Sequence, residues 1–269
     1  MRHVMALLAS LILMAAVTVG EVGAITNGRF DGDDHPYATV IVSDFITPGY
    51  IEPVCSGALI APRIVVTAAH CFIMDPDRVW VSFDPIYRVG ISTIYHGRMV
   101  PGGDPSKYVG EAGYAGKRGN GDGGFDIAVI HLDEAPGITP AQLPTAGLLD
   151  SLDLEGQAFT AVGYGIIRLK KERGPNDFVD NLVPNERWVA TGEFRSLQSH
   201  LLTLSQNAAT GDGGICFGDS GGPNFLGDTA VIAAITSLLD SACQATGRAY
   251  RLDTDQARAF LATQGVALP

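Results

Sequence analysis

The feature that most constrains this chain is a serine in a glycine-rich turn near residue 220. The turn reads Gly-Asp-Ser-Gly-Gly-Pro over residues 218–223, so small neighbours leave the Ser220 hydroxyl accessible. They also allow the backbone N–H groups of Gly218 and Ser220 to point towards the oxygen of a reacting carbonyl. The hexapeptide is compatible with an ordinary turn, and it also fits the G-x-S-x-G nucleophile elbow of α/β-hydrolases.

The positions of the histidines decide between these interpretations. A nucleophilic serine needs a base within hydrogen-bond reach and an acid that holds this base in the correct tautomer. In an α/β-hydrolase the histidine follows the serine. The last of the six histidines in this chain is His200, so none follows Ser220. The base therefore has to come from upstream, which excludes the α/β-hydrolase order.

His70 is the best candidate for the base. It follows β-branched and small residues in Val-Val-Thr-Ala-Ala-His-Cys over residues 65–71, which is typical of a strand that presents a side chain at its end. The candidate acid is Asp126, a polar residue at the start of the apolar run Phe-Asp-Ile-Ala-Val-Ile over residues 125–130. Its alternative role is to cap a turn at the strand end.

These segments, in this order, resemble the trypsin/chymotrypsin family of serine proteases. The similarity covers nearly all of the chain after residue 24 and includes Gly-Tyr-Gly over residues 163–165, where the family usually has Gly-Trp-Gly. The resemblance implies that His70 is the general base, that Asp126 orients it, and that Ser220 attacks a peptide carbonyl. It also implies that the N–H groups of Gly218 and Ser220 form the oxyanion hole.

The resemblance also assigns a substrate pocket. Gly214 stands six residues before the nucleophile, where trypsin has an aspartate, so we expect no preference for Arg or Lys. Leu239 replaces a glycine of the family and is expected to narrow the pocket, which favours small or medium apolar residues. Arg248 enters the pocket if one residue is gapped beside Gly247, and it would then favour an acidic residue. The candidate pocket residues are Gly214, Ser237, Leu238, Leu239 and Arg248.

Four cysteines allow three disulfide connectivities, and the residues alone do not choose between them. The family resemblance implies a Cys55–Cys71 bond, which fixes the loop of the base, and a Cys216–Cys243 bond, which fixes the pocket wall. Both bonds form in an oxidising compartment. Zinc binding is a weaker explanation, because no pair of cysteines has the spacing of metal ligands.

The first 24 residues predict a secretory signal peptide. Arg2 and His3 precede an uncharged run over residues 4–19, and Val-Gly-Ala over residues 22–24 is a small-residue cleavage site. This run is shorter than the ~20 apolar residues that span a bilayer. We therefore expect residues 25–269 to form one secreted domain, extracellular or periplasmic.

Signal cleavage is expected to activate the protein. In the family, a freed apolar N-terminus, usually Ile-Val-Gly-Gly, pairs with the aspartate that precedes the nucleophile. The matching segment here is Ile-Thr-Asn-Gly over residues 25–28, and Ile25 and Asp219 would form the activating pair. The alternative is cleavage after Gly20 or Gly23, which leaves a short propeptide or a frayed end.

Charge and residue chemistry limit the partners. A net charge of −11 argues against nucleic acid or an anionic membrane as a partner. No cofactor and no metal are expected, because the protein itself supplies nucleophile, base and electrostatic stabilisation. Residues 102–124 are rich in Gly and Asp but lack the regular ligand spacing of a calcium loop. We expect a monomer that acts on protein or peptide substrates.

Short apolar runs separated by Gly, Pro and Asp predict an all-β protein. The predicted strands are 38–43, 64–67, 79–83, 89–95 and 127–132 in a first lobe and 158–164, 188–194, 201–205, 230–238 and 249–252 in a second. Residues 133–149 are expected to join the lobes, and a C-terminal helix is predicted after Asp253 as its cap. With the resemblance, the fold is chymotrypsin-like: two six-stranded antiparallel β-barrels with a C-terminal α-helix and an active site between the barrels.

The sequence therefore predicts a secreted serine endopeptidase that cleaves peptide bonds through an acyl-enzyme intermediate and is not specific for Arg or Lys. The alternative is a secreted, non-proteolytic binding protein on the same fold with a blocked substrate pocket.

Overall fold

The computed structural model describes residues 25–47, 50–71, 77–102, 125–166, 185–240 and 242–269. The predicted signal peptide and nearly all of the segment 102–124 lie outside the described residues. No helix within the described ranges has the length and apolar composition that crossing a bilayer requires.

The first barrel is closed by six antiparallel strands in the order β2-β3-β4-β8-β7-β5. These strands are β2 (Ala38–Thr47), β3 (Tyr50–Ala61), β4 (Ile64–Thr67), β5 (Val79–Ser82), β7 (Tyr95–Pro101) and β8 (Ala128–Leu132). Apolar side chains from all six strands meet inside the barrel, including Ile41, Leu59, Val65, Met99 and Ile130, and each of these is at most 2% exposed. The alternation of buried and exposed positions in β7 is what a barrel wall requires.

The second barrel has the strand order β9-β11-β12-β15-β14-β13 and closes because β9 pairs with both β11 and β13. Its strands are β9 (Ala158–Gly163), β11 (Trp188–Leu197), β12 (Leu201–Ser205), β13 (Pro223–Leu226), β14 (Ile232–Leu239) and β15 (Thr246–Arg251). The short strand β1 (Arg29–Phe30) adds to β11, and β6 (Ile86–Tyr87) pairs with β10 (Asn185–Glu186). The prediction of two six-stranded antiparallel barrels is confirmed.

Two short helices accompany the barrels. Helix α1 (Leu148–Ser151) lies in the connection between them, and α2 (Asp255–Thr263) is the predicted C-terminal helix. The predicted cap is wrong by one residue, because the Thr254 side chain accepts the N–H of Ala257. Asp253 instead accepts the N–H of Leu149 at 2.8 Å and pairs with Arg251, so its carboxylate is used between segments and not at the helix end.

The predicted strand 89–95 is also wrong. Gly90 has φ of 73°, and the N–H groups of Ile91 and Ser92 both donate to the Arg88 carbonyl, so the segment is a turn that precedes β7. Ile91 is 77% exposed, which shows that the apolar residues of this run do not face the core. An apolar run without strict alternation does not distinguish a strand from an exposed turn.

A buried ion pair ties the N-terminal segment to both barrels. Arg187, fully buried before β11, donates from Nε to Asp31 Oδ2 at 2.8 Å and from Nη1 to the Phe83 carbonyl at 3.0 Å. His35 Nδ1 lies 2.5 Å from the other carboxylate oxygen of Asp31. A buried charge without partners costs several kcal/mol. This network therefore fixes the path of the chain that leads from Ile25 into the first barrel.

Candidate active site

The candidate base and acid lie together at one end of the first barrel. His70 is in a 3-10 turn (Ala69–Cys71) that directly follows β4, and Asp126 precedes β8, the strand that pairs with β4. His70 Nδ1 is 2.8 Å from Asp126 Oδ2, and the His70 backbone N–H donates to Asp126 Oδ1 at 3.0 Å. The carboxylate therefore holds the proton on Nδ1, which leaves Nε2 as the nitrogen that can accept one.

The local backbone explains why Asp126 is oriented towards His70. Phe125 has φ of 47°, a left-handed conformation that is uncommon for a bulky residue. The N–H of Ile127 donates to the Phe125 carbonyl at 2.8 Å, so the chain turns tightly around Asp126 before β8 begins. Strained backbone of this kind is found most often where a side chain has a task to perform.

The electrostatics of this pair suit proton transfer near neutral pH. Burial alone would lower the pKa of His70, but the Asp126 carboxylate outweighs it and holds the pKa above the usual 6.5. Burial would likewise raise the pKa of Asp126, but the charge and hydrogen bonds of His70, together with the Ser237 hydroxyl, hold it below the usual 3.8. Ser237 Oγ donates to Asp126 Oδ2 at 2.5 Å. The acid therefore stays ionised beside the base.

Contacts between the barrels bring Ser220 to this pair. The Ser220 carbonyl accepts the N–H of Ser56 at 2.8 Å and lies 3.6 Å from the Sγ of Cys71, the residue after His70. A Cβ on Gly221 would lie 2.5 Å from the Ser56 carbonyl oxygen, so only glycine permits this approach. Among the described residues no hydrogen bond joins the His70 ring to the Ser220 hydroxyl; such contacts commonly tighten only when substrate is bound.

The turn before the serine presents two free N–H groups. Gly218 has φ of 94°, and its carbonyl accepts the Ser56 hydroxyl at 3.0 Å, which fixes the orientation of the turn. Neither the N–H of Gly218 nor that of Ser220 has an acceptor within the part of the chain that the structure describes. Two unoccupied N–H donors beside a nucleophile can bind an oxygen that becomes negatively charged during the reaction.

Asp219 lies beneath this turn and faces the second barrel. Its Oδ1 accepts the N–H of Gly165 at 2.8 Å, and its Oδ2 accepts the N–H of Cys216 at 2.7 Å. Burial raises the pKa of Asp219 to about 7, an effect that these two N–H donors only partly offset. No cationic side chain of the described residues forms an ion pair with it.

Ile25 is also buried within the second barrel. It is 0% exposed and belongs to an apolar cluster with Ile215, the neighbour of Cys216. The next residue, Thr26, exchanges two backbone hydrogen bonds with Gly214, at 2.8 and 2.9 Å. The segment that starts at Ile25 is therefore seated next to the stretch that leads to Ser220.

Two disulfides support the site. Cys55 is bonded to Cys71, next to the candidate base, and Cys216 is bonded to Cys243. Within the described ranges there is no group of three or more His, Cys, Asp or Glu side chains arranged to hold a metal ion.

Sequence comparison decides the family. The family model described as Trypsin matches residues 31–257 of the 269-residue chain. The chain belongs to the trypsin family. Glucanase inhibitor protein 4 of Phytophthora infestans is 27% identical to it over 173 residues, 63% of this chain and 60% of the relative. Kallikrein 1-related peptidase b16 of Mus musculus is 29% identical over 186 residues, 64% of this chain and 65% of the relative. The chain thus spans less than two thirds of the length of either relative.

Solved structures agree on the fold. An HL collagenase is 18% identical with a TM-score of 0.65, covering 91% of this chain and 100% of that one. Human heparin binding protein is 17% identical with a TM-score of 0.63, covering 91% of this chain and 99% of that one. At such low identity the likeness shows the trypsin-family fold and nothing finer.

The region that family resemblance assigns to the substrate pocket is filled by side chains of the protein itself. A Cβ on Gly214 would lie 2.5 Å from the Cγ of Gln206, and one on Gly247 would lie 2.8 Å from the Cγ1 of Ile215. The cavity lined by these residues measures about 10 Å³, at the lower limit for a single water molecule. Gln206 and Ile215 are not among the pocket residues predicted from the sequence.

The other predicted pocket residues lie around this region in different environments. Leu239 packs against the apolar cluster that contains Ile215, whereas Leu238 is 48% exposed. Arg248 is exposed and pairs with Leu238 across β14 and β15. Ser237 is buried, and its hydroxyl bonds to Asp126.

Proposed function

We propose that this trypsin-family chain is a secreted serine endopeptidase. His70 Nε2 takes the proton of the Ser220 hydroxyl while the serine oxygen bonds to the carbonyl carbon of a peptide. The same nitrogen then donates the proton to the leaving amine, and an acyl-enzyme remains. Water attacks this ester with His70 again as the base, which releases the acid product and restores Ser220.

The observation that carries this proposal is the pairing of His70 with Asp126 beside the Ser220 turn. An ionised acid that holds Nδ1 at 2.8 Å stabilises the imidazolium that forms in each proton transfer. The unoccupied N–H groups of Gly218 and Ser220 supply the oxyanion hole, whose donors each contribute about 10²–10³-fold to such reactions. No cofactor is required by these steps.

The substrates are proteins or peptides. The net charge of −11 disfavours nucleic acid and anionic membranes as partners. The base of the pocket carries Gly214 and no acidic residue, so cleavage after Arg or Lys is not expected.

Signal cleavage after Ala24 is proposed to create the active N-terminus directly. The new α-amino group of Ile25 then pairs with Asp219. Asp219 is buried and accepts the N–H of Cys216, and Thr26 exchanges hydrogen bonds with Gly214, two residues before Cys216. The pairing relieves the cost of an unpartnered buried carboxylate and orders the Gly218 N–H. N-terminal sequencing of the secreted protein should read Ile-Thr-Asn-Gly.

A second candidate is a binding protein that does not cleave peptides. The observation in its favour is the filled pocket around Gln206. One relative is named a glucanase inhibitor and one neighbour a heparin binding protein, so family membership alone does not imply cleavage.

Labelling with a fluorophosphonate probe separates the two candidates. The probe reacts with an activated serine and needs little of the substrate pocket. The endopeptidase proposal predicts stoichiometric labelling of the processed protein at Ser220, with no labelling of Ser220→Ala or His70→Ala. Absence of labelling in the correctly processed wild-type protein would favour the binding protein.

A further inference from the structure

We infer that Gln206 and Ile215 close the floor of the primary substrate pocket, so that the enzyme cleaves after glycine, alanine or serine and rejects larger residues. The inference rests on the proposed function, in which Ser220 is the nucleophile and the stretch from Gly214 onward borders the pocket.

Gln206 is held in place by hydrogen bonds at both ends of its side-chain amide. Its Nε2 donates to the Ile215 carbonyl at 3.1 Å, and its Oε1 accepts the Ile215 N–H at 3.1 Å. Its own backbone N–H donates to the Ala245 carbonyl at 3.0 Å, and the residue is 1% exposed. A substrate side chain that displaced this amide would leave buried backbone groups of Ile215 without partners, which is costly.

The two glycines beside Gln206 make its position possible. The side chain runs so close to Gly214 and Gly247 that any Cβ on either residue would overlap with it. The space that a side chain at either position would need is taken by Gln206.

Ile215 is fixed from the opposite side. It is 4% exposed and packs with Ile25 and Leu239 in one apolar cluster. A Cβ on Gly247 would lie 2.8 and 3.0 Å from its Cγ1 and Cδ1 atoms and would also overlap with Gln206, so Ile215 and Gln206 fill adjoining space. Since close-packed interiors resist added volume, the space beside Gly214 and Gly247 that Gln206 and Ile215 fill does not accept a large substrate side chain. The cavity of about 10 Å³ that borders them, which also touches Phe159 and Leu204 inside the second barrel, adds room for at most one water molecule.

The floor is also electrically neutral. Both polar ends of the Gln206 amide are used by the Ile215 backbone. Arg248 is the one charged residue among those that line the cavity in the described part of the chain, and it is exposed. The pocket therefore selects by size and has no buried charge to attract an acidic or basic side chain.

Cleavage profiling of variants tests the inference. Wild type, Gln206→Ala, Gln206→Met and the matched control Gln256→Ala, an exposed glutamine on α2, are compared on a peptide library. Gln206→Ala should raise kcat/KM for cleavage after Val, Leu or Met relative to Ala by at least about tenfold, since pocket volume discriminates at roughly that level. Gln206→Met keeps the volume and should retain the preference for small residues, as should Gln256→Ala.

Fluorophosphonate labelling of every variant is measured in parallel. A labelled wild type that already cleaves efficiently after Leu or Phe would overturn the inference while leaving the proposed function intact. The same holds if labelled Gln206→Ala keeps the wild-type profile. A processed wild type that is not labelled would overturn the proposed function and the inference together. If Gln206→Ala does not fold, the cleavage profiles of the wild type and of Gln206→Met decide. Efficient cleavage after large residues by Gln206→Met would contradict the inference that the volume of residue 206 limits the pocket.

Discussion

The candidate active site contains two buried aspartates, Asp126 and Asp219, whose electrostatic environments are opposite. Asp126 is 7% exposed and has a pKa below 3.8, because the charge and hydrogen bonds of His70, with the Ser237 hydroxyl, outweigh its burial. Asp219 is 1% exposed and has a pKa raised to about 7, because burial is opposed only by backbone N–H groups. Asp126 therefore has an ionisable side chain and a hydroxyl that offset its burial, whereas Asp219 has only backbone partners among the described residues. This contrast supports the proposal that Asp219 gains a cation when the new N-terminus forms.

The largest expected effect comes from removing His70, the side-chain partner of Asp126, or Ser220, the proposed nucleophile. His70→Ala and Ser220→Ala should each lower kcat/KM by roughly 10⁴- to 10⁶-fold, because each removes part of one catalytic unit. Only His70→Ala should leave Asp126, like Asp219, buried without an ionisable side chain as its partner. With its folded-state pKa raised above the unfolded value, Asp126 should then reduce the free energy of unfolding as pH rises through and above about 4.

Urea unfolding of both variants between pH 4 and 7 measures this difference. Ser220→Ala is the matched control, since it removes activity and keeps the His70 contact with Asp126. Equal pH dependence of stability in the two variants would show that His70 is not what keeps Asp126 ionised.

A slightly smaller loss is expected when the acid becomes an amide. Asp126→Asn should lower kcat by about 10⁴-fold, because the amide favours the wrong imidazole tautomer. It also removes the group that raises the pKa of His70, so burial should then move that pKa below 6.5. The acid limb of the kcat/KM–pH profile should shift to lower pH.

Asp133→Asn is the control for that shift. Asp133 lies 2.6 Å from His96 Nδ1 in an exposed pair of the same kind, far less buried than the catalytic one. It should lower the pKa of His96, observed by NMR, and leave kcat/KM unchanged. If the acid limb does not shift in Asp126→Asn, Asp126 does not control the pKa of His70.

The role of Asp219 is tested in forms of the protein that lack a free α-amino group at Ile25. One extra residue before Ile25, or acetylation of Ile25, should reduce kcat/KM by roughly 100-fold or more, since an unpaired buried carboxylate costs about 3–5 kcal/mol. The extended form should also lose stability as pH rises from about 4 to about 7, because its Asp219 binds a proton more tightly folded than unfolded. The processed form should not show this loss.

Asp219→Asn in the extended form is the internal control, because it removes the ionisable group and should abolish the pH dependence. Full activity of an acetylated protein would mean that Asp219 is satisfied without the N-terminus.

The sequence predicts the candidate catalytic residues better than it predicts the substrate pocket. His70, Asp126 and Ser220 each stand in a short local motif, and the barrels that bring these motifs together follow from the family resemblance. The pocket residues that were not predicted owe their positions to packing between segments that are far apart in the chain. Gln206 reaches Ile215 only because β12 pairs with β15 and places the end of the strand beside Gly247. The residues around Gln206 do not predict that contact. The only local indication is that this glutamine directly follows the buried strand Leu-Leu-Thr-Leu-Ser.

The N-terminal segment shows a similar limit. A buried Asp31–Arg187 pair joins positions that are far apart in the chain, and charged residues in sequence are normally read as exposed. The predicted strand 89–95 is wrong for a different reason, because the apolar residues of an exposed turn give the same sequence pattern as core residues.

The smallest expected effect concerns Ser237, which resemblance placed in the pocket wall. Its Oγ donates to Asp126 Oδ2 at 2.5 Å, so it supplies one of the hydrogen bonds that distinguish Asp126 from Asp219.

In Ser237→Ala the contacts with His70 should still keep the Asp126 carboxylate ionised. Because the carboxylate then has one hydrogen-bond donor fewer, its negative charge should attract the His70 imidazolium more strongly. The pKa of His70 should therefore rise, and only slightly, since a hydrogen bond to a charged group contributes about 1.5–3 kcal/mol and only part of this reaches His70. The acid limb of the kcat/KM–pH profile should move to higher pH, opposite to Asp126→Asn, with at most roughly a tenfold loss at neutral pH. Ser82 is also a buried serine but lies in the first barrel, and Ser82→Ala should leave the acid limb in place. A shift of the same sign in Ser237→Ala and Asp126→Asn would show that Ser237 does not act through the charge of Asp126.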